Sequence, residues 1–183
     1  MLGSFVPPTF TGRGNVYAAY AVVTAPVIWS TAAGTGGPLL YNGSTQASGN
    51  TAGVTAYILA ASFGLTTAST VSGALGLTGG ATTAPTATTA ITAVANLSLV
   101  SGATAPQCTA YLKGTVSAAG TFFIPFGHVH TGAVTVDTDD DNFVHLGGLC
   151  SVSPGNFASV AASATLTTAV MSIGLVWIEI PND

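Results

Sequence analysis

Residues with any capacity for chemistry are concentrated in one short stretch of this sequence. All three histidines and four of the six acidic residues fall within the 18 residues from His128 to His145. His128 and His130, two positions apart, share one face if the segment is a strand, and two imidazoles side by side are a metal-ligand geometry. Asp137, Asp139 and Asp141 follow within a run that also holds Asp140 and Asn142. Carboxylates at that density offer oxygen ligands to a hard cation such as Ca²⁺. They equally suit a solvated turn, because Asp and Asn side chains bond the neighbouring backbone.

Each reading is incomplete as a motif. The His-x-His pair resembles the cupin signature, but the glutamate that should follow is absent and the second cupin motif has no counterpart. The acidic run lacks the Gly at position 6 and the Glu at position 12 of an EF-hand loop. No Gly-x-Ser-x-Gly elbow, GxGxxG or Walker A loop occurs. A glycosidase would need two carboxylates across a cleft, whereas the acids here crowd into one loop, with Glu179 and Asp183 near the end. Cys108 and Cys150 lie 42 residues apart without CxxC spacing. They read as small buried hydrophobes, with a disulfide as the alternative. The expectation is a chain with no catalytic residues and no cofactor. His128, His130, Asp137, Asp139 and Asp141 are the positions at which a metal would sit if one did.

Charge limits the partners. Only 4% of the 183 residues are Asp, Glu, Lys or Arg, against about 25% in an ordinary soluble protein. Arg13 and Lys113 are the two basic residues, so phosphate backbones and anionic lipid have almost nothing to bind. The hydrophobic fraction is 48%, yet the apolar windows at 16–33 and 169–180 are interrupted by Thr24 and Pro26 or too short, and the second carries Glu179. The first eight residues lack a charged region and an apolar core, so no signal peptide is expected there. A folded chain with so little charge repulsion suits life inside an assembly.

The elements that must position these residues are strands. Residues 169–180 split into one face with Met171, Ile173, Leu175 and Trp177 and a second with Val170, Val176, Ile178 and Ile180. Two apolar faces predict a central strand covered from both sides, by a second sheet and by another subunit or layer. Further strands are expected over 16–23, 27–29, 38–42, 54–64, 108–116, 121–126, 132–136, 142–146 and 157–164, punctuated by Gly, Pro and Asn, with 91–100 open between a strand and a short helix. The run from Thr66 to Ala90, rich in Thr, Ala and Gly, reads as a long surface loop region with at most one short strand. Residues 1–14, with Pro7 and Pro8, read as an extended N-terminal arm, and residues 15–183 as a single domain. The fold expected is all-β: an antiparallel β-sandwich, jelly-roll-like.

Three sets of residues carry a resemblance: Pro38 to Gly43 with Val54 to Gly64; Gly120 to Phe126 with His130 to Ala133; and Val152 to Ser163 leading into Ile173 to Pro181. Together they resemble small virion structural proteins of tailed bacteriophages, among them head-decoration (capsid cement) proteins. The resemblance implies a non-enzymatic protein on the capsid surface, made in the host cytoplasm, that bridges neighbouring capsid subunits. Its partners would be the major capsid protein and further copies of itself, as a homotrimer, with no nucleic acid and no membrane. Arg13, Val176, Ile178 and Ile180 are the interface candidates. The alternative is a trimeric tail-fibre or spike module that binds host glycans through Trp29, Tyr41 and the Asp137–Asp141 loop.

Overall fold

The computed structural model describes residues 15–24, 26, 28–30, 35–44, 52–91, 94–97, 105–131 and 142–182. The expected arm with Arg13, the strand expected over 132–136, and the acidic run with Asp137, Asp139 and Asp141 lie outside the described residues. The described residues form eleven strands: β1 (Asn15–Thr24), β2 (Thr35–Tyr41), β3 (Ala52–Thr67), β4 (Gly73–Ala81), β5 (Thr86–Ala90), β6 (Ala95–Asn96), β7 (Thr109–Thr115), β8 (Phe122–Val129), β9 (Asn142–Val152), β10 (Asn156–Ala162) and β11 (Val170–Asn182). The described residues contain no helix, hence none long and apolar enough to cross a membrane.

The strands form two antiparallel sheets, ordered β6-β1-β11-β3-β9 and β5-β7-β2-β10-β4-β8. Eight of the strands pair as a nested set: β1 with β11, β2 with β10, β3 with β9 and β4 with β8. Strands β5 to β7 are inserted between β4 and β8 and extend the margins of both sheets. One hydrophobic core lies between the sheets, with Tyr17, Ile58, Ile173 and Trp177 from the first and Leu40, Leu75, Leu77 and Val160 from the second. The all-β expectation therefore holds, and the two facing sheets are sandwich-like.

β11 is central, as its two apolar faces predict. Met171, Ile173, Leu175 and Trp177 are all buried on the core side. Trp177 tilts against Tyr17 with ring centroids 5.7 Å apart, a contact that adds to the area both rings remove from water. Burying such a set drives association of the sheets at roughly 25 cal/mol per Å² of apolar surface.

The low-complexity run departs from its expectation. It holds two strands, and one of them, β4, is buried almost throughout between β10 and β8. Leu75 and Leu77 are fully buried in the core. The physical reason is close approach by neighbours. A methyl group at Gly76 would lie 2.5 Å from the Ile124 carbonyl and 2.7 Å from the Phe123 ring, and one at Gly79 would lie 2.6 Å from the Phe157 carbonyl. Small residues in β4 thus leave space that flanking aromatics fill, so the strand is buried by side chains it does not own. Only β5, exposed along its whole length, behaves as the surface excursion that the composition suggests.

Bulges on β3 and β9 reset which side chains face inward. On β3, Leu59 is the extra residue relative to β11, so Ile58 and Phe63 both reach the core although their spacing is odd. On β9, residues 146–149 stand opposite that same single Leu59. Gly147 and Gly148 have φ of 56° and 78° there, a left-handed conformation that glycine adopts without a Cβ penalty. The excursion leaves Leu149 78% exposed while Leu146 packs on the core.

Candidate functional site

The two clustered histidines are built by β8. This strand is at the margin of its sheet, with β4 as its hydrogen-bonded neighbour among the described residues. A marginal strand tolerates Pro125, whose missing N–H is not needed by a second partner, and so runs on to Val129 rather than stopping near the proline. Register with β4 slips at Phe126, between the Leu75–Gly127 and Gly76–Pro125 pairs. Before the slip, Ile124 and Phe126 pack on the core; after it, Val129 does. His128 and His130 are therefore turned outward, both exposed, with ring centroids 4.5 Å apart and planes at 42°. The predicted shared face exists, and the bulge sets its direction.

His145 is not part of that pair. It lies on β9 in the other sheet, where its ring meets Phe143 edge-on at 4.8 Å. Among the described residues no three His, Cys, Asp or Glu side chains come together as a metal-binding group. Trp29, one of the glycan candidates, is half-buried and stacks on Phe123 at 5.9 Å, and Tyr41 packs on the small cluster of Leu39, Val116 and Phe157. The two candidates are thus engaged with the body of the second sheet.

Both cysteines are free and buried in the core. Burial, then the nearby Glu179 carboxylate and a hydrogen bond to it, push the Cys108 thiol far above its ordinary value. Burial alone raises Cys150. Nucleophilic thiol chemistry requires the thiolate, and both environments oppose it.

Glu179, which the sequence marks only as an acid near the end, is one of two buried polar anchors. Its Oε1 accepts hydrogen bonds from the Cys108 amide (3.0 Å) and the Trp177 indole N–H (3.1 Å), and Oε2 accepts from the Gln107 amide (2.8 Å). Consecutive amides aimed at one carboxylate replace the water it lost on burial. The contact fastens the start of β7 onto β11. Asn42 is the other anchor, fully buried beyond the end of β2. Its Nδ2 donates to the Val54 carbonyl of β3 (2.6 Å) and the Val152 carbonyl of β9 (2.7 Å), and its Oδ1 accepts from the Ser44 amide and hydroxyl. All four hydrogen-bonding positions of the amide are used, and they tie one sheet to the other.

The interface candidates lie on the outward face of the first sheet. In register across β1, β11, β3 and β9 run Tyr20, Gly174, Ser62 and Phe143, then Ala18, Val176, Ala60 and His145, then Val16, Ile178, Tyr57 and Ser151. Tyr20, Val22 and Phe143 are each more than half exposed. Val176 and Ile180 are half-buried. Ile178 is a correction: at 1% exposure it is already covered within its own chain, so it has no surface to give a partner. Its register neighbours Val16 and Tyr57 stand on either side of it. Among the described residues this face carries no Asp, Glu, Lys or Arg: Glu179 points inward and Lys113 is on β7 of the other sheet.

No protein-family model matches this chain, and neither does any curated protein or solved structure.

Proposed function

We propose that this chain is a non-enzymatic virion structural protein that decorates a phage capsid and stabilises it by bridging neighbouring capsid subunits. The observation that carries the reading is the outward face of the first sheet, whose described residues include no Asp, Glu, Lys or Arg and which displays Tyr20, Val22, Val176 and Phe143 beside small residues. Large apolar side chains left exposed on one sheet face, at Tyr20 and Val22 on β1 and Phe143 on β9, offer anchors for a partner. The nested pairing of β1–β4 with β8–β11 supports a jelly-roll reading, since rolling one long antiparallel ribbon into two sheets would give that order. That architecture serves viral capsid proteins but also lectins and cupins, so the face rather than the fold supports the function.

On this reading the partners are the major capsid protein and other copies of the chain, closed into a ring such as a trimer. The protein resides on the capsid surface after synthesis in the host cytoplasm. Contacts without ion pairs should survive a rise in salt, because there is little charge to screen. The test is copy number in purified particles by quantitative mass spectrometry against the major shell subunit. A ratio near that of the shell subunit supports decoration. A few copies per particle would transfer the protein to the tail, and absence from particles would overturn a virion role.

A further inference from the structure

We propose that His128 and His130 form a two-imidazole chelate for a late first-row divalent cation, Cu²⁺ or Ni²⁺ in preference to Zn²⁺. The inference is independent of the virion reading and rests on the geometry of β8. A metal–imidazole nitrogen bond is about 2.0–2.1 Å, and the ring centre lies roughly 1.1 Å behind the nitrogen, which puts each centroid roughly 3.2 Å from the metal. Two rings at a right angle on one ion then have centroids about 4.5 Å apart, whereas a tetrahedral angle spreads them to about 5.2 Å. The observed separation is 4.5 Å. With each ring turned to aim one nitrogen at a shared ion, that spacing is within reach of adjacent positions of a square-planar or octahedral ion, the geometries of Cu²⁺ and Ni²⁺, and Cu²⁺ heads the affinity order for nitrogen ligands.

The pair is held in place before any ion arrives. Val129, between the two histidines, is buried in the core, and His128 is in register with Ala74 of β4. Just beyond His130, the Thr131 amide donates to the Ser72 hydroxyl at 3.0 Å, and Thr131 bridges Ser69. The backbone is thus fixed on both sides of the rings, so binding has only the two exposed side chains to order. No fixed positive charge among the described residues opposes a cation there: the one described cation, Lys113, is on β7, four places from β8 in the sheet. Two protein ligands leave the remaining positions to water.

The test is titration of the full, tag-free, metal-stripped chain with Cu²⁺, Ni²⁺ and Zn²⁺, followed by calorimetry and, for Cu²⁺, electron paramagnetic resonance. The expected result is one saturable ion per chain, tighter for Cu²⁺ and Ni²⁺ than for Zn²⁺, with two nitrogen ligands in the Cu²⁺ spectrum. His128→Ala and His130→Ala should each weaken binding by about tenfold or more, and His145→Ala should leave it unchanged. Both substituted side chains are exposed, so thermal melts of the variants should overlay the parent and rule out misfolding as the cause. Binding that persists in the His128→Ala, His130→Ala double variant would overturn the proposal. So would the absence of saturable binding tighter than millimolar, or equal loss in His145→Ala.

Discussion

β11 and β4 are both interior strands of their sheets, yet they are buried by opposite means. β11 brings its own bulk, with Met171, Ile173, Leu175 and Trp177 filling the core. β4 brings two leucines and otherwise thinness, with Gly76 and Gly79 letting the Phe122 and Phe123 rings close over it. Each also carries one buried polar side chain satisfied mainly by backbone. Glu179 in β11 receives two amides and an indole, and Thr78 in β4 donates to the Phe122 carbonyl at 2.7 Å. A strand can therefore earn a central place by what it contributes or by what it leaves room for.

The contrast is broken most severely at Trp177. Trp177→Ala empties the middle of the core and removes one donor to Glu179, and should cost about 3–5 kcal/mol in denaturant unfolding. In β4 the sign of the volume change reverses. Gly76→Val should cost about 3 kcal/mol, because the new side chain meets the Ile124 carbonyl, a backbone atom that cannot rotate away. Equal stability of Gly76→Val and the parent would refute the account of how β4 is buried. Glu179→Gln should cost about 2 kcal/mol: the amide oxygen can still accept two bonds, but its NH₂ group would face the Gln107 N–H, donor against donor. Thr78→Val keeps the volume and forfeits one hydrogen bond, for about 1 kcal/mol.

The smallest effect expected is one of pH. The raised Cys108 thiol means that the folded chain keeps a proton where the unfolded chain releases it. Its contribution is whole below the ordinary thiol range near about 8.5 and shrinks as pH climbs above it. Unfolding midpoints should therefore fall from pH 8 to pH 10, and fall less in Cys108→Ala. Neither thiol should react with a disulfide reagent at pH 8 until the chain is unfolded.

Periodicity made β1 and β11 legible, because their burial comes from their own side chains. It could not reveal β4, whose glycines and threonines look like loop until the phenylalanines of β8, more than 40 residues downstream, are laid across them. The His-x-His spacing placed two rings on one face, but the slip at Phe126 that turns them outward leaves no mark in composition. Ile178 was misassigned to a partner surface by simple alternation, since the pattern counts faces and not what neighbouring strands already cover. Glu179 and Asn42 were hidden for a related reason. Their partners are mostly backbone groups, many of them distant in sequence, such as the Val152 carbonyl 110 residues from Asn42. The two cysteines, read as buried hydrophobes, occupy that role.

The nested pairing has a consequence for how the chain reaches its fold. β1 and β11 are hydrogen-bonded neighbours along ten consecutive register positions, from Asn15–Glu179 to Thr24–Val170. During synthesis β1 must wait for almost the whole of the described chain before its partner exists, and β2 and β3 wait nearly as long. Closure of such distant pairs is slow, and the waiting strands expose unpaired edges with little charge to keep them apart. Completion of the first sheet is thus a late event, set by the arrival of β11 rather than by any local preference of β1.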